Sequence, residues 1–405
     1  MICEGWKEMR LGDIAQIIIS NVDKKSNAGE RTVRLCNYTD VYKRDTIDPA
    51  QAFMEATATA TEIKKFGVKA GDVIITKDSE TADDIAMPTY VLETADDLVC
   101  GYHLAIIRPD READGRFLKY FFELPQTRHY FGTRANGAIR FGLTIEGIEG
   151  AKILLPSIEE QRRIADILRT WDEAIEKLEA LKAAKERRQE ALREKLAFAD
   201  AAGEPKRLAD VTKELIARNG DNALGRDLVM GITNSRGIVP MREQTIADDI
   251  SRYKLFPHRA FAYNPMRVNV GSIAMNETKN TILVSPDYVV FACIDGELSA
   301  DFLDHLRKTR WWAHYVNSGG SGSVRQRTYY ADLAAMKVPL PGFEKQHRLA
   351  GILDTGRQDI EATAREITAL RRQKRGLMQK LLTGEWRVKV NSHQSLADEK
   401  EAALG

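Results

Sequence analysis

Short, loop-like segments of this chain combine Asn and Arg with Gly, Ser or Pro. One is NPMRVN at 264–269, and another is SGSVRQR at 321–327. Arg can fork onto guanine and Asn onto adenine in the major groove of DNA, while Ser hydroxyls and backbone amides hold phosphates. These segments therefore predict contacts with DNA. The same residue types also build turns and keep surfaces soluble, so composition alone leaves a purely structural role open.

The predicted DNA-contacting residues fall into two groups along the chain. The first group is Arg34, Tyr38, Arg134, Asn136 and Arg140. The second group is Asn234, Arg236, Asn264, Arg267, Asn269, Ser323, Arg325 and Arg327. The segment 319–325 (GGSGSVR) occupies, in the second half, the place that 134–140 (RANGAIR) has in the first. We expect binding energy from many dispersed contacts rather than from one pocket.

No catalytic constellation is recognisable in the sequence. It has no Walker A motif, and its seven histidines are dispersed without metal-binding spacing. Asn264-Pro265-Met266 shares only its first two residues with the Asn-Pro-Pro-aromatic loop of adenine methyltransferases, and no glycine-rich cofactor loop accompanies it. We therefore expect a chain that is not an enzyme and that binds no metal or cofactor itself.

Length and charge limit the classes of protein to which this chain can belong. The 405 residues suggest two or three domains. The net charge is only +1, so the charge of the whole chain does not indicate binding to nucleic acid. Residues 251–280 nevertheless carry five Lys or Arg against one Glu, as a phosphate-tracking surface requires and as an ordinary solvated face also allows. Four scattered cysteines, no signal peptide and no membrane-length apolar run predict a cytoplasmic protein with reduced thiols.

Two long segments of one pattern must position the loops. Residues 155–196 and 340–381 align without a gap, which places Gln161 on Gln346. Apolar residues recur at alternating spacings of three and four in both, predicting two helices of about 60 Å paired as an antiparallel coiled coil. The predicted helix-pairing residues are Ile164, Leu168, Ile175, Leu178, Leu192, Leu353, Ile360, Ile367, Leu370 and Leu377.

The middle of this predicted seam is polar. In the predicted register Ile164 lies opposite Leu381, and Ile175 lies opposite Leu370. Polar or small residues occupy the seam positions Lys182, Lys185, Gln189, Gly356, Thr363 and Lys374. They either set the register or face a partner, and lysine stems that snorkel to solvent explain them equally well.

The long segments divide the chain. We expect a globule at 1–156, a helix and linker at 157–205, a second globule at 206–341, a second helix at 342–390 and a disordered tail at 391–405. The first helix is predicted to begin with a capping box formed by Ser157 and Glu160. Strand-like runs at 32–36, 72–76 and 102–107 and a helix-compatible run at 117–123 suit a mixed globule. The predicted fold class is α+β, with two mixed α/β globules, two long helices and an internal pseudo-two-fold repeat.

The repeated helices resemble those of the DNA-specificity subunits of type I restriction–modification enzymes. The resemblance is carried by LLP at 154–156 with EQRRIA at 160–165, by VPLP at 338–341 with Gln346 and Leu349, and by LLTG at 381–384. It covers nearly the whole chain, because the order and lengths of globules and helices match. The end of the first helix departs from the pattern, since Leu196–Gly203 replaces a second Leu-Leu-Thr-Gly.

The resemblance implies a non-catalytic subunit that binds double-stranded DNA. Each globule would read one half of a split, asymmetric site, while the helix pair would set their spacing and hold two methyltransferase subunits. Those partners would use S-adenosylmethionine to methylate adenine, and restriction subunits would use ATP and Mg. The alternative is a coiled-coil adaptor that scaffolds partner proteins and binds no DNA.

Overall fold

The computed structural model describes residues 4–198, 205–318, 327–338 and 340–389. Ser323, Arg325 and the 391–405 tail lie outside these ranges. The contacts divide the chain into two compact units. The first comprises the described residues through Lys177 and those from Ile367 onward, and the second comprises the described residues from Leu178 to Glu366.

The first unit contains a mixed α/β globule. Its strands are β1 (Lys7–Arg10), β2 (Ala15–Ile19), β3 (Arg31–Cys36), β4 (Thr46–Ile47), β5 (Met54–Ala58), β6 (Val73–Thr76), β7 (Asp78–Ser79), β8 (Pro88–Val91), β9 (Leu98–Cys100), β10 (Leu104–Pro109), β11 (Phe141–Gly142) and β12 (Lys152–Leu155). Its helices are α1 (Leu11–Ile14), α2 (Tyr38–Lys43), α3 (Ala60–Phe66), α4 (Gly115–Phe122), α5 (Pro125–Arg134), α6 (Ile145–Glu149) and the start of α7 (Ile158–Leu196), with a 3-10 turn at Ala82–Asp84.

The main sheet of this globule has the order β2-β10-β6-β8-β4, and β5-β3-β9 form a second sheet. The central strands β6 and β10 are antiparallel, with Ile75 opposite Ala105. Successive residues of a strand point to opposite faces. Val73 and Ile75 enter one apolar cluster and Ile74 enters another, all fully buried, so the main sheet is covered on both faces.

The second unit is built from shorter strands. These are β13 (Lys206–Arg207), β14 (Thr212–Glu214), β15 (Val229–Thr233), β16 (Gly237–Pro240), β17 (Lys254–Phe256), β18 (Phe261–Tyr263), β19 (Ile273–Met275), β20 (Ile282–Val284), β21 (Val289–Cys293) and β22 (Lys337–Val338). The helices are α8 (Leu208–Val211), α9 (Ala300–Leu306), α10 (Arg310–Ser318), α11 (Tyr330–Ala334) and α12 (Phe343–Leu382), with 3-10 turns at Arg226–Leu228, Glu243–Thr245 and Val268–Val270.

Two sheets organise this globule, in the orders β14-β21-β18-β19 and β16-β15-β20-β17. Strands β15 and β20 are parallel, whereas the other neighbours are antiparallel. In both units the first strand pairs with the strand just before the long helix, as β1 with β12 and β13 with β22. The two globules therefore share the pairing of their first strand with the strand before the long helix, and they differ in the strand order of their sheets.

The helices α7 and α12 are 39 and 40 residues long and antiparallel. In the first unit Ile164 and Leu381 share one apolar cluster. In the second, a Cβ added to Gly356 would lie 2.2 Å from Gln189 Oε1, which places these residues directly opposite each other. Both observations agree with the predicted register, and the predicted fold class is confirmed.

The helix-pairing candidates differ in burial. Ile164, Leu168, Ile175, Leu353 and Ile367 are buried, and Leu178, Leu192, Ile360, Leu370 and Leu377 are half-buried. The polar centre of the seam is hydrogen-bonded between the helices. Lys185 Nζ donates to Asp359 Oδ1 (2.8 Å) and Thr363 Oγ1 (3.0 Å), and Gln189 Nε2 donates to the Leu353 carbonyl (2.6 Å). Within this unit, these bonds favour the register-setting interpretation.

The start of α7 differs from the predicted capping box. Ser157 Oγ accepts a hydrogen bond from the Glu160 amide (3.3 Å), which is one half of that motif. The Glu160 carboxylate is instead directed to the Arg387 guanidinium, with two contacts of 2.9 Å. A bidentate pair with a guanidinium is a stronger partner than a single backbone amide. Glu160 therefore ties the segment after α12 to the first turn of α7.

Candidate nucleic-acid interface

The first globule meets its long helix at a buried glutamine. Gln161 lies in the first turns of α7 and is fully buried. Its Nε2 donates to the carbonyls of Glu112 (2.9 Å) and Pro156 (3.0 Å), and its Oε1 accepts from the Asp114 amide (2.8 Å). One side chain thus joins the loop before α4, the residue after β12 and the helix itself.

The second module repeats this joint. Gln346 Nε2 donates to the carbonyls of Glu297 (3.1 Å) and Pro341 (3.0 Å), and its Oε1 accepts from the Ser299 amide (2.8 Å). Every member follows its counterpart in the first module by the interval that separates Leu155 from Leu340. The duplication inferred from the helices therefore extends to individual hydrogen bonds.

Three of the predicted DNA-contacting residues border or lie in the 135–140 loop, which connects α5 to β11. The amides and carbonyls of Asn136 and Gly142 bond to each other in both directions at 2.9 Å, which closes the loop. Gly137 has φ +147°, and a Cβ there would lie 1.8 Å from the Arg140 carbonyl oxygen, so the turn requires glycine. The closed loop exposes Asn136 and Arg140, together with Ile139, which is 89% exposed.

Arg134, at the end of α5, also faces solvent. Its guanidinium lies over the Tyr130 ring, 5.5 Å from the ring centroid. The Tyr130 hydroxyl in turn donates to the Gly147 carbonyl (3.0 Å). A stacked guanidinium keeps its hydrogen-bonding edge available while its orientation is restricted. Arg134 is therefore a preoriented cation beside the loop.

Tyr38 and Arg140 meet at one surface pocket of about 370 Å³. The other residues lining it are Asp78, Ser79, Glu80, Thr81, Asp84 and His103. Tyr38 stacks on Tyr42 with ring centroids 5.6 Å apart, and burial raises the pKa of its phenol. Carboxylates repel phosphate but accept hydrogen bonds from the amino groups of cytosine and adenine. The pocket is thus suited to base edges rather than to the DNA backbone.

Arg34 is engaged inside the first globule. Its Nε and Nη2 each donate to the Asp97 carboxylate at 2.7 Å, and its Nη1 contacts the Pro49 carbonyl. The hydrogen bond to Asp97 raises the pKa of Arg34 and lowers that of Asp97. This bidentate pair fixes the loop before β9 against β3. The geometry favours a structural role for Arg34.

In the second unit, Asn234 and Asn269 meet at a surface pocket of about 390 Å³. A Cβ at Gly271, where φ is +87°, would lie 2.6 Å from Asn234 Oδ1, so the amide of Asn234 rests on this glycine. The pocket is also lined by Thr233, Gly237, Val268, Gly271, Ile273, Arg307, Lys308, Trp312, Ala313 and Val316. The turn after β15 and the turn before β19, far apart in sequence, are therefore brought together.

The remaining candidates of the second group lie on exposed turns. Arg236 is exposed in the turn between β15 and β16, and Arg267 is exposed before Val268–Val270. Asn264 Oδ1 accepts from the Met266 amide (2.9 Å), which is a turn-forming bond. The Thr328 amide donates to the Pro265 carbonyl (3.0 Å). This bond places the neighbouring, exposed Arg327 close to the same turn.

The sequence did not identify the cations of the second pocket. Arg307 and Lys308 each contact the buried Asp304 carboxylate at 2.5 Å, and Arg307 Nη1 also donates to the Ile273 carbonyl (2.8 Å). Burial opposes ionisation of Asp304, but the two cations outweigh it and lower its pKa from 3.8 to about 2. Asp304 precedes Arg307 and Lys308 by about one helical turn, but no sequence pattern marks the pocket, because its two turns meet these cations only in the folded unit.

The first unit carries the opposite charges at the equivalent positions. Lys119 corresponds to Asp304 by the repeat interval, and Glu123 corresponds to Lys308. The buried Lys119 pairs with Glu123 (2.5 Å) and Asp45 (3.2 Å), as Asp304 pairs with Lys308. The neighbouring Tyr120 hydroxyl donates to Asp172 on α7 (2.7 Å), whereas His305 contacts Asp354 on α12 (3.1 Å). Each globule is thus fitted to its own helix contacts.

Within the described residues, no group of three or more His, Cys, Asp or Glu side chains could hold a metal ion. None of the helices in the described ranges is long and apolar enough to span a bilayer.

The chain is similar to known proteins in part of its sequence and over its whole length. Residues 3–186 match the family model described as the type I restriction modification DNA specificity domain. The chain is 22% identical to the putative type I restriction enzyme MjaX specificity subunit of Methanocaldococcus jannaschii, over 96% of this chain and 95% of that protein.

Solved structures share the fold over almost the whole length. The type I restriction-modification system S subunit from M. genitalium matches with a TM-score of 0.57 and 13% identity, covering 95% of this chain and 97% of that one. A chain from a study of complex assembly and conformational transition of the type I R-M system matches with a TM-score of 0.56 and 17% identity, covering 95% and 100%. Residues 3–186 thus match a type I restriction modification DNA specificity domain, and the chain is similar to type I specificity subunits in sequence and in fold over almost its whole length.

Proposed function

We propose that this chain selects the DNA sequence for a type I restriction–modification complex, with each globule reading one half of a bipartite, asymmetric site. The observation that carries this proposal is the duplicated glutamine joint beneath dissimilar globules. Gln161 and Gln346 make the same three hydrogen bonds, while the surfaces beyond them differ. A repeated attachment with divergent surfaces is what two readers of different half-sites require.

The exposed chemistry of the two globules supports different half-sites. The first offers Asn136 and Arg140 beside a pocket lined by three carboxylates, which suits amino groups and purine edges. The second offers Asn234 and Asn269 beside two cations, which suits acceptor edges and phosphates. From the first group we keep Tyr38, Arg134, Asn136 and Arg140 as proposed contacts. From the second group we keep Asn234, Arg236, Asn264, Arg267, Asn269, Ser323, Arg325 and Arg327.

The helix pair is proposed to act as the spacer and as the docking site for two methyltransferase subunits. Leu181 on α7 and Ile352 on α12 are large apolar residues with 45% and 52% of their surface exposed, and we propose that a partner helix packs on them. Adenine methylation with S-adenosylmethionine and ATP-driven restriction would then reside in the partners, and this chain would have no catalytic role. The proposed location is the cytoplasm, where such a complex meets DNA.

A globule exchange tests the proposal. Residues 206–340 are replaced by the corresponding globule of a relative with a different methylated motif, and the complex with its methyltransferase is mapped by methylome sequencing. We expect one half of the motif to change and the other half, with the spacing, to persist. The reciprocal control replaces residues 1–156 and should change only the other half.

Two outcomes contradict the proposal. If both halves of the motif change together, or neither changes, then the globules do not read independently. If the wild-type chain with its methyltransferase gives no sequence-selective footprint on DNA, the adaptor alternative is correct.

A further inference from the structure

The most exposed large apolar side chain among the described residues is on the 135–140 loop. Ile139 is 89% exposed, ahead of Ile216 at 72%. Scattered exposed apolar residues are ordinary on protein surfaces. Ile139 is unusual because a closed turn holds it outward between two of the proposed DNA contacts, Asn136 and Arg140.

The loop has little freedom to bury this side chain. Its two ends are joined by the reciprocal 2.9 Å bonds of Asn136 and Gly142, and its turn depends on Gly137. Strand β11, directly after the loop, pairs with β7, so the base of the loop is part of the globule. A rigid turn that presents an apolar group to solvent preorganises that group for a partner.

The neighbours of Ile139 indicate which partner chemistry fits. An A·T pair presents in the major groove an acceptor and a donor on adenine, and an acceptor and an apolar methyl group on thymine. An Asn amide and an Arg guanidinium match the hydrogen-bonding groups of base edges, and a compact aliphatic side chain matches the methyl group. The 135–140 loop carries all three side chains, as Asn136, Ile139 and Arg140. The second module has the related order Gly322-Ser323-Val324-Arg325, again an aliphatic residue before Arg.

We propose that Ile139 is a specificity-determining residue that contacts the 5-methyl group of a thymine in the half-site read by the first globule. The inference rests on the proposed DNA-reading function and adds the base and the group that are recognised. An apolar contact of this kind discriminates thymine from cytosine and from uracil, which lack the methyl group.

The test replaces thymine by uracil, which removes only the methyl group. The motif is first defined by methylome sequencing, and binding of the complex of the full chain with its methyltransferase is then measured on duplexes carrying one thymine-to-uracil change at each position. We expect that uracil at one position of the first half-site weakens binding of the wild-type complex about fourfold, because one buried methyl group is lost. The Ile139→Ala complex should be insensitive to uracil at that position.

The control variant is Ile216→Ala, which removes a similarly exposed isoleucine from the other globule. It should retain the uracil sensitivity in the first half-site. If uracil weakens wild-type and Ile139→Ala complexes equally at every position, or weakens neither, the thymine contact is wrong. If the wild-type complex shows no sequence-selective binding at all, the proposed function itself has failed, which is a distinct result.

Discussion

Gln161 and Gln346 are buried, and each holds three backbone groups of its own module by hydrogen bonds. Replacing either by Ala leaves two carbonyls and one amide without that partner, each at a cost of roughly 1 kcal/mol or more. We predict that Gln161→Ala and Gln346→Ala each destabilise their own unit by about 3 kcal/mol, which lowers its Tm by roughly 6–12 °C. Differential scanning calorimetry of the full chain measures this change.

The matched control for the joint is Gln358→Ala, an exposed glutamine on α12. It should leave Tm within about 1 °C, since surface substitutions away from such networks change stability little. Equal effects of all three substitutions would show that the joint is not special. Gln161→Glu should be as damaging as Gln161→Ala, because a carboxylate cannot donate to the carbonyls of Glu112 and Pro156.

Ionisation of Asp304 makes the free energy of unfolding of the second unit depend on pH in the acidic range. Its folded pKa of about 2 lies below its ordinary value of 3.8. A lowered carboxylate pKa stabilises the folded state above pH 4, and this contribution is lost as the pH falls through the folded pKa. The contribution amounts to about 2 kcal/mol.

We predict that Asp304→Asn is less stable than wild type at pH 7 and that the gap narrows between about pH 4 and pH 2. Urea unfolding at several pH values measures the gap, and the exposed Asp287→Asn is the control. A gap that stays constant down to pH 2 would contradict the assignment of the lowered pKa to Asp304.

The two glycines Gly351 and Gly356 distinguish the free face of α12 from its seam. Gly→Ala stabilises an exposed helix by roughly 0.5–1 kcal/mol, and a Cβ at Gly351 meets nothing within 4 Å. At Gly356 the same Cβ would lie 2.2 Å from Gln189 Oε1 and displace an amide that is bonded to the Leu353 carbonyl. We predict that Gly351→Ala raises stability and that Gly356→Ala lowers it by about 1 kcal/mol.

A double mutant separates this clash from other effects at Gly356. Adding Gln189→Ala removes the obstructing amide, so Gly356→Ala should become neutral or stabilising in that background, with a coupling energy of about 1–2 kcal/mol. Chemical denaturation of the four variants completes the cycle. Additive effects would mean that Gln189 and Gly356 do not face each other as described.

At the level of elements, periodic patterns were predictive and long-range pairing was not. The apolar spacing and Ser157 predicted α7, which runs over Ile158–Leu196, and the predicted strand at 32–36 corresponds to Arg31–Cys36. The order β2-β10-β6-β8-β4 could not be predicted, because it pairs strands that are far apart in sequence. Periodicity records burial of a face but not the identity of the neighbour.

The same limit applies to the candidate site. The glycine-containing segment predicted an exposed loop at Asn136 and Arg140, and both residues are exposed, whereas their contact with DNA stays a prediction. Arg34 was chosen for its residue type, and its partner Asp97 is 63 positions away, a relation that no local pattern reveals. Arg307 and Lys308 were missed for the same reason, since their neighbours in the pocket come from two distant turns.

For the whole molecule, the duplication implies that both modules descend from one ancestral module. The charges at equivalent positions show that the two modules have since diverged. The interval that relates Gln161 to Gln346 also relates Lys119 to Asp304 and Asp172 to Arg357. At both of these positions the charge has reversed sign. The two halves are therefore homologous in architecture and no longer interchangeable in electrostatics.

This reversal limits how the recognised site can evolve. A gene conversion that copied the first globule into the second position would bring Lys119 with its partner Glu123, but it would place this lysine where Asp304 now attracts Arg193 of α7. Such a chain would replace an attraction by a like-charge contact between globule and helix, so a protein that reads a palindrome is not readily reached from this one. New specificities should instead arise by recombination between corresponding globules of different chains, which preserves the asymmetry of the site.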